Sequence, residues 1–138
     1  MPSVAALVEL WTASRRAIAA VEKRLDAALQ QRVGIPFATY AVLCTIAEFS
    51  DRQLSQQHIA DELGIDKSSV SRQLDTAVRL GLATSTPSTE SRRSHSVALT
   101  AEGREALSAS ERVVAEIATE LRLDGIEQTT RFLSGLGG

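Results

Sequence analysis

A glycine at position 64 stands between two short amphipathic patterns, and that junction limits what the chain can fold into more than any other feature of its 138 residues. The stretch is SQQHIADELGIDKSSVSRQLDTAVRLGL, Ser55 to Leu82. Its first pattern runs from about Gln56 to Leu63, with Ile59 and Leu63 four apart beside the small Ala60. Its second runs from about Lys67 to Leu80, with Val70, Leu74, Ala77 and Val78 at i, i+4, i+7 and i+8. Residues so spaced share one side of a helix, so each segment has one stripe to bury. Two such helices joined through Gly64 and Ile65 predict a helix-turn-helix, and Ala60 lets the pair approach closely.

What the second helix leaves outside narrows its chemistry. At 3.6 residues per turn, the face away from Val70 and Leu74 carries Ser68, Ser69, Arg72, Thr76 and Arg79, with Gln73 at its edge. Asp66 is placed to cap its N-terminus, where hydroxyls and free amide hydrogens suit a phosphate or a base edge. Arginine can fork onto guanine and glutamine onto adenine in a groove wide enough for a helix. Gln56 and Gln57, at the start of the first motif helix, join the candidate DNA contacts. The competing reading is a plain amphipathic helix with a solvated face.

Charge distribution favours the DNA reading over a uniformly basic coat. The formal net charge is -2, yet from Asp66 to His95 there are Lys67, Arg72, Arg79, Arg92 and Arg93 against Asp66, Asp75 and Glu90, five minus three or +2, which leaves -4 for the remainder. A hydrophobic content of 43% is enough for one domain with a core. The single cysteine, Cys44, rules out an internal disulfide framework and fits a reducing, cytoplasmic setting. The sequence has no apolar run of membrane-spanning length, and Glu9, Arg15 and Arg16 break any signal-peptide pattern. No Gly-rich phosphate loop, CxxC pair or HExxH occurs, and His58 and His95 have no neighbours at metal-ligand spacing. An enzyme, a cofactor and a metal site are therefore not expected.

Around the motif, a first long helix is expected from about Ser3 to Gln31, with Val4, Leu7, Trp11, Ile18, Val21, Leu25 and Leu29 on one stripe. Gly34 ends it and Pro36 opens a second, nearly all-apolar helix to about Phe49, which belongs at the centre of the core. After Gly81, the flanks Leu82 to Thr86 and Ser96 to Leu99 read as short strands around a polar loop, Pro87 to His95, that holds Arg92 and Arg93. A hairpin directly after a recognition-type helix is a wing, whose arginines suit a minor groove or phosphates. Thr100 then caps a helix to about Leu123, with Leu107, Val114 and Leu121 every seventh residue and Ile117 beside them. Asp124 and Gly125 break it before a last short helix with Ile126, Phe132, Leu133 and Leu136. The two ends hold more apolar helix than a small winged core can cover, which predicts packing across a two-fold axis.

HIADELGIDKSSVSRQLDTAVRLGLA followed by ESRRSHSVALTAEGREAL resembles the winged helix-turn-helix of the MarR family of bacterial transcription regulators. The likeness carried by LGI-x-K-S-S-V-S-R and R-R-x-x-x-V-x-L-T-x-x-G extends over nearly the whole chain. It implies recognition-helix contacts at Ser68, Ser69, Ser71, Arg72 and Gln73 and wing contacts at Arg92 and Arg93. It also implies release from DNA by a small aromatic acid or phenol held between the dimerisation helices and the winged domain, for which Trp11, Arg15, Tyr40 and Cys44 are the candidate ligand residues. Two features depart from the family pattern. Ser91 stands where an acidic residue usually braces the arginine pair, with Glu90 beside it, and Val78 and Leu80 replace charges.

The expected architecture is mainly α with a small β-hairpin wing. Residues 35–100 form a winged helix-turn-helix DNA-binding domain, and residues 1–34 with 101–138 form a helical dimerisation region. The expected function is a homodimeric, cytoplasmic regulator of transcription, a repressor, that reads a pseudo-palindromic site in double-stranded DNA and responds to a small-molecule effector. The alternative is a helical-dimer ligand-binding or protein-interaction module without DNA readout.

Overall fold

Ser3 opens the first helix, its hydroxyl accepting the Ala6 amide at 3.1 Å, and α1 runs over Val4–Arg32. The computed structural model describes residue 1 and residues 3–87, 95–122 and 125–138. Further elements are α2 (Phe37–Glu48), α3 (Gln56–Leu63), α4 (Lys67–Arg79), β1 (Ala83–Pro87), β2 (His95–Leu99), α5 (Ala101–Glu120) and α6 (Ile126–Gly137). None of these helices is long and apolar enough to cross a membrane.

Three apolar clusters hold the elements, and α2 touches all of them. Val42 and Ile46 pack with Ile59 and Ala60 of α3, Val70 and Leu74 of α4, Leu54 and Val97. Leu43 packs with Ile35, Ala77, Leu82, Ala83 and Leu107. Phe37 and Tyr40 lie against the third cluster, in which Leu25, Ala28 and Leu29 of α1 meet Val113 and Ile117 of α5. This explains why the sequence of α2 is apolar nearly all round: a helix with neighbours on several sides has no face left for water. Pro36 precedes α2 as its cap and provides no side-chain hydrogen bond, so α1 supplies one instead, Asp26 accepting the Phe37 amide at 2.8 Å. Arg24 with Glu120 and Arg32 with Glu116 add ion pairs across the α1–α5 seam.

The helix-turn-helix forms as its pattern predicts. Ser55 caps α3 by accepting the His58 amide, with the His58 ring reaching back in a capping box. Gly64 then takes φ +65°, a left-handed conformation that most other residues adopt only at a cost, and this turns the chain into α4. β1 and β2 pair antiparallel from Ala83 opposite Leu99 to Pro87 opposite His95. Leu54, which the sequence places in a loop, bridges Val97 and gives the hairpin a short third edge.

One expectation about a buried face is corrected, and two apolar stripes are left partly open by the single chain. Val78 is 43% exposed, because α4 settles on Val70, Leu74 and Ala77 and Val78 lies about 100° around the helix from Ala77. In α5 the buried row is Gly103, Leu107, Ser110, Val113 and Ile117. Val114 is half-buried and Leu121 is 37% exposed, so the later part of the seven-residue repeat is not covered within one chain. This buried row steps by three and four and runs through a glycine and a serine, residues that an apolar search passes over; Val113 and Ile117 in it meet α1, while Gly103 lies against Leu82. On α1, only Leu25, Ala28 and Leu29 are buried, while Val4, Leu7, Trp11 and Ile18 are exposed.

Candidate nucleic-acid interface

Asp66 sets the start of α4. Its carboxylate accepts the Ser69 amide and the Ser68 hydroxyl, each at 2.6 Å. Those bonds, first the one from Ser68, hold its pKa at about 2, below the usual carboxylate range. A group whose folded pKa is depressed lends stability that is present above its unfolded pKa and lost as pH falls through the folded one, so the cap persists at neutral and mildly acidic pH. The first turn of α4, with its unpaired amides, stays defined.

Beyond the cap, the solvent face is a chain of polar contacts. The Arg72 guanidinium donates to the Ser69 hydroxyl at 3.0 Å, the Thr76 hydroxyl donates to the Arg72 carbonyl at 3.1 Å, and Arg79 donates to the Thr76 hydroxyl at 3.4 Å. Arg72 and Arg79 are exposed, and neither meets a carboxylate among the described residues. Two guanidinium groups about two turns apart on an exposed, hydroxyl-lined face are thus left to an anionic partner. Ser68 is exposed, and Ser69, Ser71 and Thr76 are half-buried. Val78 and Leu80, at 43% and 45% exposure, place two apolar side chains at the far end of α4.

The remaining candidates divide. Gln57 is exposed but its amide donates to Asp61 on the same helix at 2.9 Å, while Gln56 is half-buried at the first turn of α3. Gln73 reaches inward, its carbonyl oxygen accepting the hydroxyl of Thr39 at 2.9 Å. Thr39, fully buried on α2, was not a candidate from sequence, because nothing in a threonine 34 positions away announces the contact. Arg92 and Arg93, with Glu90 and Ser91, lie outside the described residues.

The four candidate ligand residues do not meet within one chain. Trp11 is 63% exposed, and Arg15 stacks on its ring at 5.5 Å. Both sit on the N-terminal half of α1, roughly 15 to 20 Å along the helix from the Leu25 contact. Tyr40 and Cys44 are half-buried within the core, where burial pushes the phenol and the thiol up, so both stay protonated at neutral pH. Arg15 instead lines a cleft of about 430 Å³ shared with Gly64 and Ile65 of the motif turn. A second cleft, about 640 Å³, opens between the end of α2, β2 and the start of α5. Its apolar wall includes Ile46, Val97, Leu99 and Leu107, and its charged groups are Arg104, Arg52 and Asp51, the last 3.8 Å from the Arg52 guanidinium.

The family model described as MarR family matches residues 33–94. Among curated protein sequences, none matches. The fold is similar to that of a MarR-family transcriptional regulator from Rhodococcus sp. RHA1, at TM-score 0.82 and 21% identity over 98% of this chain and 96% of that one. It is similar to the transcriptional repressor CouR bound to a 23-mer DNA duplex, at TM-score 0.73 and 27% identity over 99% and 96%. CouR from Rhodococcus jostii RHA1 bound to p-coumaroyl-CoA matches at TM-score 0.76 and 21% identity over 89% and 87%. The family match spans the helix-turn-helix, and the structural likeness, at 21% and 27% identity, extends through the helices on both sides of it: over residues 33–94 the chain is similar to the MarR family, and its fold is that of MarR-family regulators.

Proposed function

We propose that this protein is a homodimeric, sequence-specific DNA-binding repressor of transcription, released from a pseudo-palindromic operator by a small-molecule effector. The observation that carries the DNA reading is the solvent face of α4, on which Ser68, Ser69, Arg72, Thr76 and Arg79 stand together, with two guanidiniums free of carboxylates among the described residues. Such a face fits a major groove, with arginine on guanine and the hydroxyls on base edges or phosphates. Ser71 and Gln73 stand beside this face, Gln56 and Gln57 suit phosphates at the first turn of α3, and Arg92 and Arg93 suit the minor groove or the backbone. CouR, bound to DNA and described as a repressor, supports both the binding and its sign.

In this reading residues 35–100 read the DNA, and residues 1–34 with 101–138 join two copies. Support for the second copy is the apolar surface left open at both ends of the chain: Val4, Leu7 and Trp11 on α1, and Phe132 and Leu136 on α6. The effector is taken to be an amphipathic acid, as the binding of p-coumaroyl-CoA by CouR supports. Of the two clefts, the one holding Arg52 and Arg104 over an apolar wall suits such a molecule best. A protein-interaction module would need an apolar patch on α4, and Val78 and Leu80 alone make a small one.

Selection from a pool of random duplexes, followed by titration at several salt concentrations, tests the proposal. Wild type is expected to enrich a pseudo-palindrome. Arg72→Ala relaxes preference at one base pair per half-site by roughly tenfold, within the range for a bidentate contact. Arg92→Ala/Arg93→Ala weakens binding on every sequence and lowers the salt slope by about one unit for each phosphate that is no longer neutralised. Failure to enrich any sequence, with a salt slope indifferent to either change, would leave the helical-dimer module as the better reading.

A further inference from the structure

We infer that Thr39 fixes the orientation of the Gln73 side-chain amide and thereby makes Gln73 a donor-only reader of the major groove; this rests on the DNA reading above. The starting point is an exception among the helical hydroxyls. Thr45, Thr76, Ser110 and Thr119 each donate back to the carbonyl four residues earlier on their own helix. Thr39 does not. It stands in the first turn of α2, after the cap residue Pro36, so the carbonyl four positions back belongs to Ile35, outside the helix. Its hydroxyl proton goes across to α4 instead, to the carbonyl oxygen of Gln73 at 2.9 Å.

Burial makes that bond directive. Thr39 has no exposed surface, so its hydroxyl has no water to turn to, and an unmade hydrogen bond there is costly. Gln73 is half-buried between the apolar stripe of α4 and its polar face, with Ser69 one turn before it and Thr76 nearly one turn after. With the carbonyl oxygen turned inward onto buried Thr39, its second lone pair is directed away from an outside partner, and the part of the amide left to face one is the NH2 group, which only donates. A free glutamine grips adenine with both ends, its oxygen on the N6 amino group and its nitrogen on N7. Held by Thr39, Gln73 lacks the oxygen for the amino group. It favours base edges that carry only acceptors, guanine with N7 and O6 or thymine with O4, over cytosine, whose edge is an amino group, and over adenine, where the NH2 can still meet N7 but leaves the N6 amino group without an acceptor.

Thr39 is therefore a positioning residue, and its effect shows in base preference rather than in overall affinity. The test repeats the duplex selection with wild type, Thr39→Val, Thr39→Ser, Gln73→Ala and Gln73→Glu. Wild type is expected to show guanine or thymine at one position of each half-site, and Gln73→Ala to flatten that position alone. Thr39→Val keeps the side chain's shape but not its hydroxyl, frees the carbonyl, and shifts the position toward adenine by about fivefold with the others unchanged. Thr39→Ser keeps the hydroxyl and the wild-type preference.

Gln73→Glu gives a reading that does not depend on how well Thr39→Val folds. The carboxylate still accepts from Thr39 but offers the groove no donor, so the guanine or thymine preference disappears. Retention of that preference in Gln73→Glu, or an unshifted position in a folded Thr39→Val, overturns the inference. A wild type that enriches no sequence sinks the DNA reading and this inference with it. A wild type that enriches a motif indifferent to Thr39 and Gln73 sinks this inference alone.

Discussion

Replacement of Gly103 by alanine is expected to lower the stability of the fold by about 3 kcal/mol, at the upper end of what overpacking a tight site costs. A Cβ built at Gly103 lies 1.9 Å from the carbonyl oxygen of Leu82 and 2.9 Å from its carbonyl carbon, and both are backbone atoms that cannot swing aside. The Leu82 carbonyl is also fixed from the other side, because it accepts the Thr100 amide at 3.1 Å. Thr100 in turn caps α5 on Gly103 and donates to Gly81 at 2.6 Å, so the start of α5 is seated directly on the chain that leaves the recognition helix. Alanine is the better helix former by about 1 kcal/mol, and the clash outweighs that gain. Urea unfolding of Gly103→Ala checks the expectation beside Gly135→Ala, a helical glycine with nothing within 4 Å, which is expected to hold or gain stability. Equal stability in the two variants would mean that α5 does not approach Leu82 this closely.

The second large effect concerns the proposed dimer. Leu7→Glu with Phe132→Glu puts charge on the two apolar surfaces that the single chain leaves open, and neither residue belongs to the three core clusters. Burying a charge in an interface without a partner is costly, so the dimer is expected to dissociate more readily by at least about thirtyfold, the effect of removing one hot-spot side chain. Sedimentation equilibrium reads the mass, and far-ultraviolet circular dichroism checks that the helices persist. A wild type that is monomeric at micromolar concentration, or a variant that dimerises as well as wild type, would remove the two-fold arrangement.

How much of this could be read from the sequence depends on the range of the interaction. The helix-turn-helix was legible because its signals are local: a 3.6-residue period, a cap at Asp66, and a glycine able to take φ +65° ahead of it. The hairpin followed for the same reason, apart from the Leu54 edge, since a single bridging residue has no period to detect. In α5 the apolar repeat at Leu107, Val114 and Leu121 differs from the row that the single chain buries, which includes Gly103 and Ser110. Gly103 was present as the last letter of the T-x-x-G motif, but its need for closeness to Leu82 is a tertiary fact. The Thr39 contact to Gln73 was invisible for the same reason, and it changes what the glutamine can read.

The candidate ligand residues show the limit from the other side. Trp11, Arg15, Tyr40 and Cys44 share chemical suitability, but one pair lies on the N-terminal half of α1, where Trp11 is exposed and Arg15 borders the motif turn, and the other inside the core. The cleft with Arg52 and Arg104 brings together residues far apart in sequence, between α2, β2 and α5, which no local pattern joins.

Two-fold reading of DNA by a pair of α4 helices is the central claim, and its geometry can be measured directly. Two recognition helices on a dimer reach successive major grooves only when the half-sites lie about one turn, roughly 34 Å, apart on one side of the duplex. Wild type would be titrated against its selected duplex and against the same duplex with about five base pairs inserted at the centre, which turns one half-site to the opposite face. Binding through one protomer alone, weaker by two orders of magnitude or so, is the predicted result for the inserted duplex. Equal affinity for both duplexes would contradict the account, since it would mean that each protomer reads its DNA without regard to the other.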